Sequence, residues 1–145
     1  MIDSIEKKQS NPFTASKGGK YPFSFVSAAE AGWPDVPFGK TIDEKLAPAW
    51  LNKYLVAKRA VESKLQTTKN MRSAIYRPSL IWDWSKLDVL PAIPIFNIAA
   101  ALGVPFVDKT VRIETLADAI VAGLENDDVE GVQRVGEMEK LTKRV

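Results

Sequence analysis

The chain of 145 residues contains no cysteine and no histidine. Thiol nucleophiles, disulfides and imidazole bases are therefore excluded, and with them nearly every zinc or transition-metal site. Acid–base chemistry is left to Tyr, Lys, Asp, Glu or hydroxyl groups. A dominant charge is also missing, because 20 Lys and Arg stand against 18 Asp and Glu for a formal net charge of +2. The cations are spread along the chain with acids among them, so no stripe for nucleic acid is expected. The opening residues, MIDSIEKKQSNPF, have no apolar run after their charges and carry early acids without Arg, which argues against a signal or transit peptide.

Long hydrophobic runs are nearly absent. The exception is Val89–Val107 (VLPAIPIFNIAAALGVPFV), which is uncharged and close to bilayer length. Pro91, Pro94 and Pro105, with Asn97 and Gly103, leave only Ile95–Leu102 as an uninterrupted helical piece. A buried or interfacial helix is expected there rather than a span. The chain also lacks a G-x-G-x-x-G turn heading a strand–helix unit. Gly18-Gly19 has the wrong spacing and reads as a turn.

What is present reads as one globular domain. A content of 46% hydrophobic and 26% charged residues is ordinary for a packed chain and places residues 21–145 in a domain, after a polar N-terminal segment of residues 1–20. Tyr21–Ala28 (YPFSFVSA) is a short aromatic, apolar run and predicts a buried strand. A helix is expected from Ala47–Pro48 to about Gln66, with Pro tolerated in its first turn. Arg72–Tyr76 predicts a second strand ended by Pro78, followed by a loop SLIWDW. Thr115 to Asp118 has capping-box spacing and predicts the start of a helix with Leu116, Ala117, Ile120, Val121 and Leu124 in helical period. Gly131–Val135 reads as an edge strand and Glu137–Arg144 as a terminal helical turn or two. Strands alternating with helices imply an α/β fold with a parallel sheet.

The helix APAWLNKYLVAKRAVESKLQ carries the chemistry. Leu51, Leu55, Val61 and Leu65 mark its inward face, while Lys53, Arg59 and Lys64 are expected in solvent. Tyr54 and Lys58 are four apart and share one side of the helix. A phenol titrates near about 10 and is a weak acid or base at neutral pH, and a fixed cation beside it favours the phenolate. Such a pair can move a proton to or from a carbonyl or alcohol oxygen. The same spacing also arises by coincidence on helices, and Glu62 is placed to pair with Lys58 at i, i+4.

Ser27 at the end of the first strand, Tyr54-Leu-Val-Ala-Lys58 with Glu62 on the helix, and Arg77-Pro78 at the end of the next strand form an ordered set. This set resembles the extended or atypical branch of the short-chain dehydrogenase/reductase superfamily over roughly residues 20–135, and VRIETLADAIVAGLE is similar to that branch's C-terminal segment. The resemblance implies a partial Rossmann-like sheet, the C-terminal half of an NAD- or NADP-binding domain without its N-terminal glycine-rich βαβ unit. It implies Tyr54 as catalytic acid/base, Lys58 as the cation that favours the phenolate and holds the nicotinamide ribose, and Ser27 as the group that orients the substrate oxygen. Pro78, Ser79 and Leu80 would line the nicotinamide side. Ser79 stands where the family usually has Gly, which removes the closest backbone approach.

The more specific likeness is to mitochondrial members associated with ubiquinone biosynthesis and to the dehydrogenase-like accessory subunit of respiratory complex I. It implies a mitochondrial location and a lipid or quinone contact through Val89–Val107; without it, the chain reads as cytoplasmic. The absent phosphate-binding turn implies weak NADPH binding by the chain alone and a missing N-terminal half or protein partner, with β-edge exposure as the structural consequence. Two functions follow, an oxidoreductase half-domain or a non-catalytic structural or assembly module, beside an ordinary α/β domain in which the letters coincide.

Overall fold

The computed structural model describes residues 20–37, 39–41, 48–83, 91–104 and 107–143. Most of the polar N-terminal segment, the Gly18-Gly19 pair, Ala47 and parts of the uncharged stretch (residues 89–90 and 105–106) lie outside the described residues.

The fold is mixed α/β around a small parallel sheet. Strand β1 (Tyr21–Val26) is followed by a 3-10 segment (Ala29–Asp35) and a helical turn (Gly39–Thr41). Helix α1 (Ala49–Thr67) leads to β2 (Met71–Tyr76), which pairs parallel with β1 from Tyr21 opposite Met71 to Val26 opposite Tyr76. Strand β5 (Gly131–Gln133) pairs parallel on the other side of β2, giving the order β1-β2-β5. All six residues of β2 are buried, as a central strand covered on both faces requires.

Two helical layers sandwich this sheet. Helices α3 (Ile113–Glu125) and α4 (Val135–Thr142) cover the face presented by Ala74 and Tyr76, where Leu116, Ala119, Ala122, Met138 and Leu141 complete a core. Helix α1 covers the opposite face, where Leu65 and Val61 pack on Met71, Ile75, Phe23 and Phe25. A small third cluster joins Leu55 and Leu51 of α1 to Ala28, Ala31 and Trp33 just beyond β1.

Several boundaries differ from the sequence expectation for identifiable reasons. Strand β1 ends at Val26, since the chain turns after Ser27 into the 3-10 segment. The SLIWDW loop contains a short strand, β3 (Ile81–Trp82), paired parallel with β4 (Val111–Arg112). Because β4 runs straight into α3, that helix starts at Ile113 and the Thr115–Asp118 capping box does not form. The capping contact occurs instead at α4, where Glu137 Oε2 accepts the Arg134 N–H at 3.2 Å. Helix α2 (Ala92–Ala101) begins earlier than Ile95, with Pro94 absorbed in its first turn.

Helix α2 ends in a Schellman arrangement. Gly103, at φ +74°, donates to the Ala100 carbonyl at 3.0 Å, and Val104 donates to Ala99 at 3.1 Å. Its inward anchor is Asn97, whose Oδ1 accepts the backbone N–H and the hydroxyl of Thr110 at 3.0 and 3.1 Å. No described side chain of α2 is fully buried, and no described helix is long and apolar enough to cross a membrane.

The α3 side of the sheet is locked by two polar contacts. Arg72 is buried, and its Nη1 donates to the carbonyls of Gly123, Asn126 and Val129 at 2.7, 2.8 and 2.9 Å, while Nη2 donates to Leu124 at 2.9 Å. Gly123 and Leu124 lie in the last turn of α3, and Asn126 and Val129 follow it, so the guanidinium serves as the helix's C-terminal cap. The second contact is Tyr76, whose buried hydroxyl donates to the Ala119 carbonyl at 3.0 Å. A Cβ at Gly123 would stand 1.9 Å from that hydroxyl, so only glycine allows α3 to approach β2 this closely.

Candidate functional site

Parallel α/β sheets offer ligand crevices beyond the carboxyl ends of their strands. In this chain that end gathers Val26 at the end of β1 with Ser27 after it, Arg77 to Leu80 after β2, and the middle of α1. The hydrophobic pattern of α1 sets its rotation: Leu55 and Leu65 are fully buried, which leaves Tyr54 and Lys58 on the flank of the buried stripe. Tyr54 is 44% exposed, and Lys58 is half-buried.

Lys58 is held from three sides. Its Nζ donates to the Val26 carbonyl at 2.7 Å and lies 4.8 Å from the centre of the Phe25 ring and 5.3 Å from that of Tyr54. An ammonium over two aromatic faces and on a carbonyl is well placed without a carboxylate partner. The Tyr54 hydroxyl makes no hydrogen bond among the described residues. The structure therefore brings Tyr54 and Lys58 together, with the cation over the ring.

Glu62 takes a different partner from the one its spacing suggested. Its carboxylate receives Nε and Nη2 of Arg77 side-on, with the Nε contact at 3.1 Å, and not the Lys58 ammonium one turn away. Burial pushes the Glu62 carboxyl up, but the hydrogen bonds from Arg77 and the charges of Arg77 and Arg59 outweigh it and hold the group below its ordinary value. The same pairing raises Arg77. This bidentate ion pair ties α1 to the end of β2, so two residues of the ordered set, Glu62 and Arg77, act as a clamp. Arg59, expected in solvent, is half-buried and donates from Nε to the Ala31 carbonyl at 3.0 Å, fixing the 3-10 segment against α1.

Ser27 lies on the clamp side. Its N–H donates to the Tyr76 carbonyl at 2.7 Å. Its hydroxyl is buried and faces the Glu62 carboxylate without a full hydrogen bond. Pro78 is buried, and its carbonyl accepts the Ala29 N–H at 2.8 Å; the Leu80 carbonyl accepts the Val111 N–H at 3.0 Å. Two of the three backbone carbonyls at Pro78, Ser79 and Leu80 are thus committed to the fold, and Ser79 is half-buried between them.

Glu30, in the 3-10 segment, carried no motif that would have singled it out. Burial pushes its carboxyl up, with Asp108 adding repulsion, and a backbone hydrogen bond opposes them. Asp108 itself accepts both arms of Arg134 at 3.1 and 2.7 Å. A cavity of about 330 Å³ opens beside the clamp, lined by Asp35, Arg59, Glu62, Gln66 and Arg77. Arg77 is already paired with Glu62, which leaves this cavity polar without an uncompensated charge.

At the carboxyl end of β1 the Lys58 ammonium thus lies over the Tyr54 ring, whose phenol is partly exposed. Among the described residues no helix N-terminus preceded by a glycine-rich turn offers a pyrophosphate cradle. No protein-family model, curated protein or solved structure matches this chain.

Proposed function

We propose that this chain is the substrate- and nicotinamide-side half of an NAD- or NADP-dependent oxidoreductase of the short-chain dehydrogenase/reductase type, with a Rossmann-like sheet completed by a missing N-terminal half or a protein partner. The observation that carries the reading is the Tyr54–Lys58 pair at the carboxyl end of β1. A bound nicotinamide would supply the hydride. Tyr54 would exchange a proton between its hydroxyl and the substrate oxygen, and Lys58 would favour the ionised phenol and hold the ribose. Ser27 and the stretch from Pro78 to Leu80 would border the same crevice; for Ser27 to orient a substrate oxygen, its hydroxyl must turn away from Glu62.

The exposed side of α2 supports a lipid or quinone on the substrate side. Ile95, Ile98 and Leu102 are 67%, 60% and 78% exposed and form one aliphatic face. A mitochondrial location belongs to the same reading.

The experiment is a titration with reduced nicotinamide mononucleotide, followed by NMR. Shifts are expected at the Tyr54 ring and the Lys58 side chain, and should vanish in Lys58→Met. The intact dinucleotide should bind the isolated chain weakly, so a micromolar dissociation constant for NADPH counts against the half-domain. One observation favours a second reading, a non-catalytic structural or assembly module: Lys58 is fully engaged by Val26 and two rings. In that case Tyr54→Phe changes no activity of any assembly the chain enters.

A further inference from the structure

The outer edge of β1 has an unusual set of backbone groups. In a parallel ladder, alternate residues turn both backbone groups toward one neighbour. The N–H groups of Tyr21 and Ser27 reach the Asn70 and Tyr76 carbonyls at 3.1 and 2.7 Å, so the odd-numbered residues serve β2. Pro22, Ser24 and Val26 therefore face outward. Pro22 presents a carbonyl and no donor, Ser24 presents both groups, and Val26 presents its N–H, while its carbonyl is taken by Lys58.

We propose that a second copy of this chain pairs on this edge, β1 against β1, antiparallel across a two-fold axis at Ser24. In that register Ser24 exchanges both backbone hydrogen bonds with the partner's Ser24. The Val26 N–H donates to the carbonyl of the partner's Pro22, and the reverse contact follows by symmetry. One position would remain unsatisfied: the Val26 carbonyl faces the nitrogen of the partner's Pro22, which has no hydrogen. That is the carbonyl Lys58 already satisfies at 2.7 Å. Every outward group of the edge thus finds a partner, and the missing donor at Pro22 matches the extra donor at Lys58. An isologous contact needs this kind of self-complementarity.

The side chains agree with the backbone. Trp50, Tyr54 and Lys58 follow one another at intervals of four along α1 and share a flank, and Lys58 shows that this flank overhangs the edge. Trp50 is 70% exposed, so the paired copy would cover an aromatic surface as well as a strand edge. Backbone donors and acceptors in a row call for a strand; a lipid surface would leave them unpaired. The two sheets, each in the order β1-β2-β5, would join through their β1 strands into one. The pairing stands without the oxidoreductase reading. Under that reading, the completing half and the second copy compete for the same edge.

Sedimentation velocity on the full chain tests this, with hydrogen exchange read at individual amides. The wild-type chain should sediment as twice its 16.0 kDa mass, and the Ser24 and Val26 amides should be protected in a concentration-dependent way. Lys58→Met should weaken the pair by about tenfold, because two symmetric carbonyls lose their donor. Adding Pro22→Val to Lys58→Met should restore it, since the new N–H at position 22 faces the bare carbonyl. Ser24→Pro should give a monomer, and if that variant does not fold, the rescue pair decides alone. A monomeric wild type, a dimer whose Ser24 and Val26 amides exchange freely, or a Lys58→Met loss that Pro22→Val leaves unrepaired would overturn the proposal.

Discussion

The two faces of the sheet are built on different terms. Under α3 and α4, polar groups and shapes interlock: Arg72 fills the end of α3, Tyr76 hydrogen-bonds Ala119, and Gly123 leaves the room that the Tyr76 hydroxyl needs. Under α1, the core is made of aliphatic and aromatic contacts, and the flank beside it keeps Tyr54 and Trp50 open to solvent. Both faces spend polar groups on the fold, but the α1 side also keeps an exposed phenol, Tyr54, whose hydroxyl has no hydrogen-bond partner among the described residues.

The contrast breaks most easily at Arg72. Arg72→Met should destabilise by about 3–5 kcal/mol, because four carbonyls around the end of α3 lose one buried cation. Chemical denaturation measures it, and loss of protection in the residues after α3 should accompany it. Gly123→Ala should cost about 1–3 kcal/mol or more through overpacking against the Tyr76 hydroxyl. Combining it with Tyr76→Phe should recover part of that loss, even though Tyr76→Phe alone removes a hydrogen bond worth about 1 kcal/mol.

The clamp on the α1 side gives a smaller, pH-dependent effect. Glu62 ionises more readily in the folded chain than in the unfolded one. It therefore contributes stability above the ordinary carboxylate range, and this is lost as pH falls through its depressed folded value. Glu30 is shifted the opposite way, so its share of stability is present at low pH and lost as pH rises through its raised value. Glu62→Gln should cost about 2 kcal/mol at neutral pH, by leaving Arg77 without its counter-charge, and should flatten the acid limb of the stability curve. A stability profile unchanged on that limb would contradict the clamp.

At exposed positions the effects on stability should nearly vanish. Ile95→Asp with Ile98→Asp changes two exposed positions and should cost under about 1 kcal/mol in total while abolishing any binding to lipid vesicles. Tyr54→Phe should be neutral within about 0.5 kcal/mol, since its hydroxyl has no partner to lose.

Much of the fold was legible because it rests on local pattern. The apolar runs at β1 and β2 and the apolar spacing of α1 and α3 predicted those elements to within a few residues. Strand β3 was not legible, since Ile81–Trp82 is too short to show a period and exists only through pairing with β4. The Thr115–Asp118 cap failed because the entry from β4 fixed the helix start first. At the candidate site, the spacing of Tyr54 and Lys58 gave their adjacency directly. What Lys58 bonds to, where the Glu62 carboxylate turns, and which way the Ser27 hydroxyl faces depend on how α1 seats against β1 and β2. No local sequence signal encodes that seating, nor the closeness of Gly123 to Tyr76.

The proposal that the open flank of α1, with Tyr54 and Lys58, is the nicotinamide side of a redox site is checked by titration with reduced nicotinamide mononucleotide. It predicts saturable shifts confined to Tyr54, Lys58 and the residues from Pro78 to Leu80, lost in Lys58→Met with the fold intact. Shifts that are absent, or that survive Lys58→Met unchanged, would contradict it.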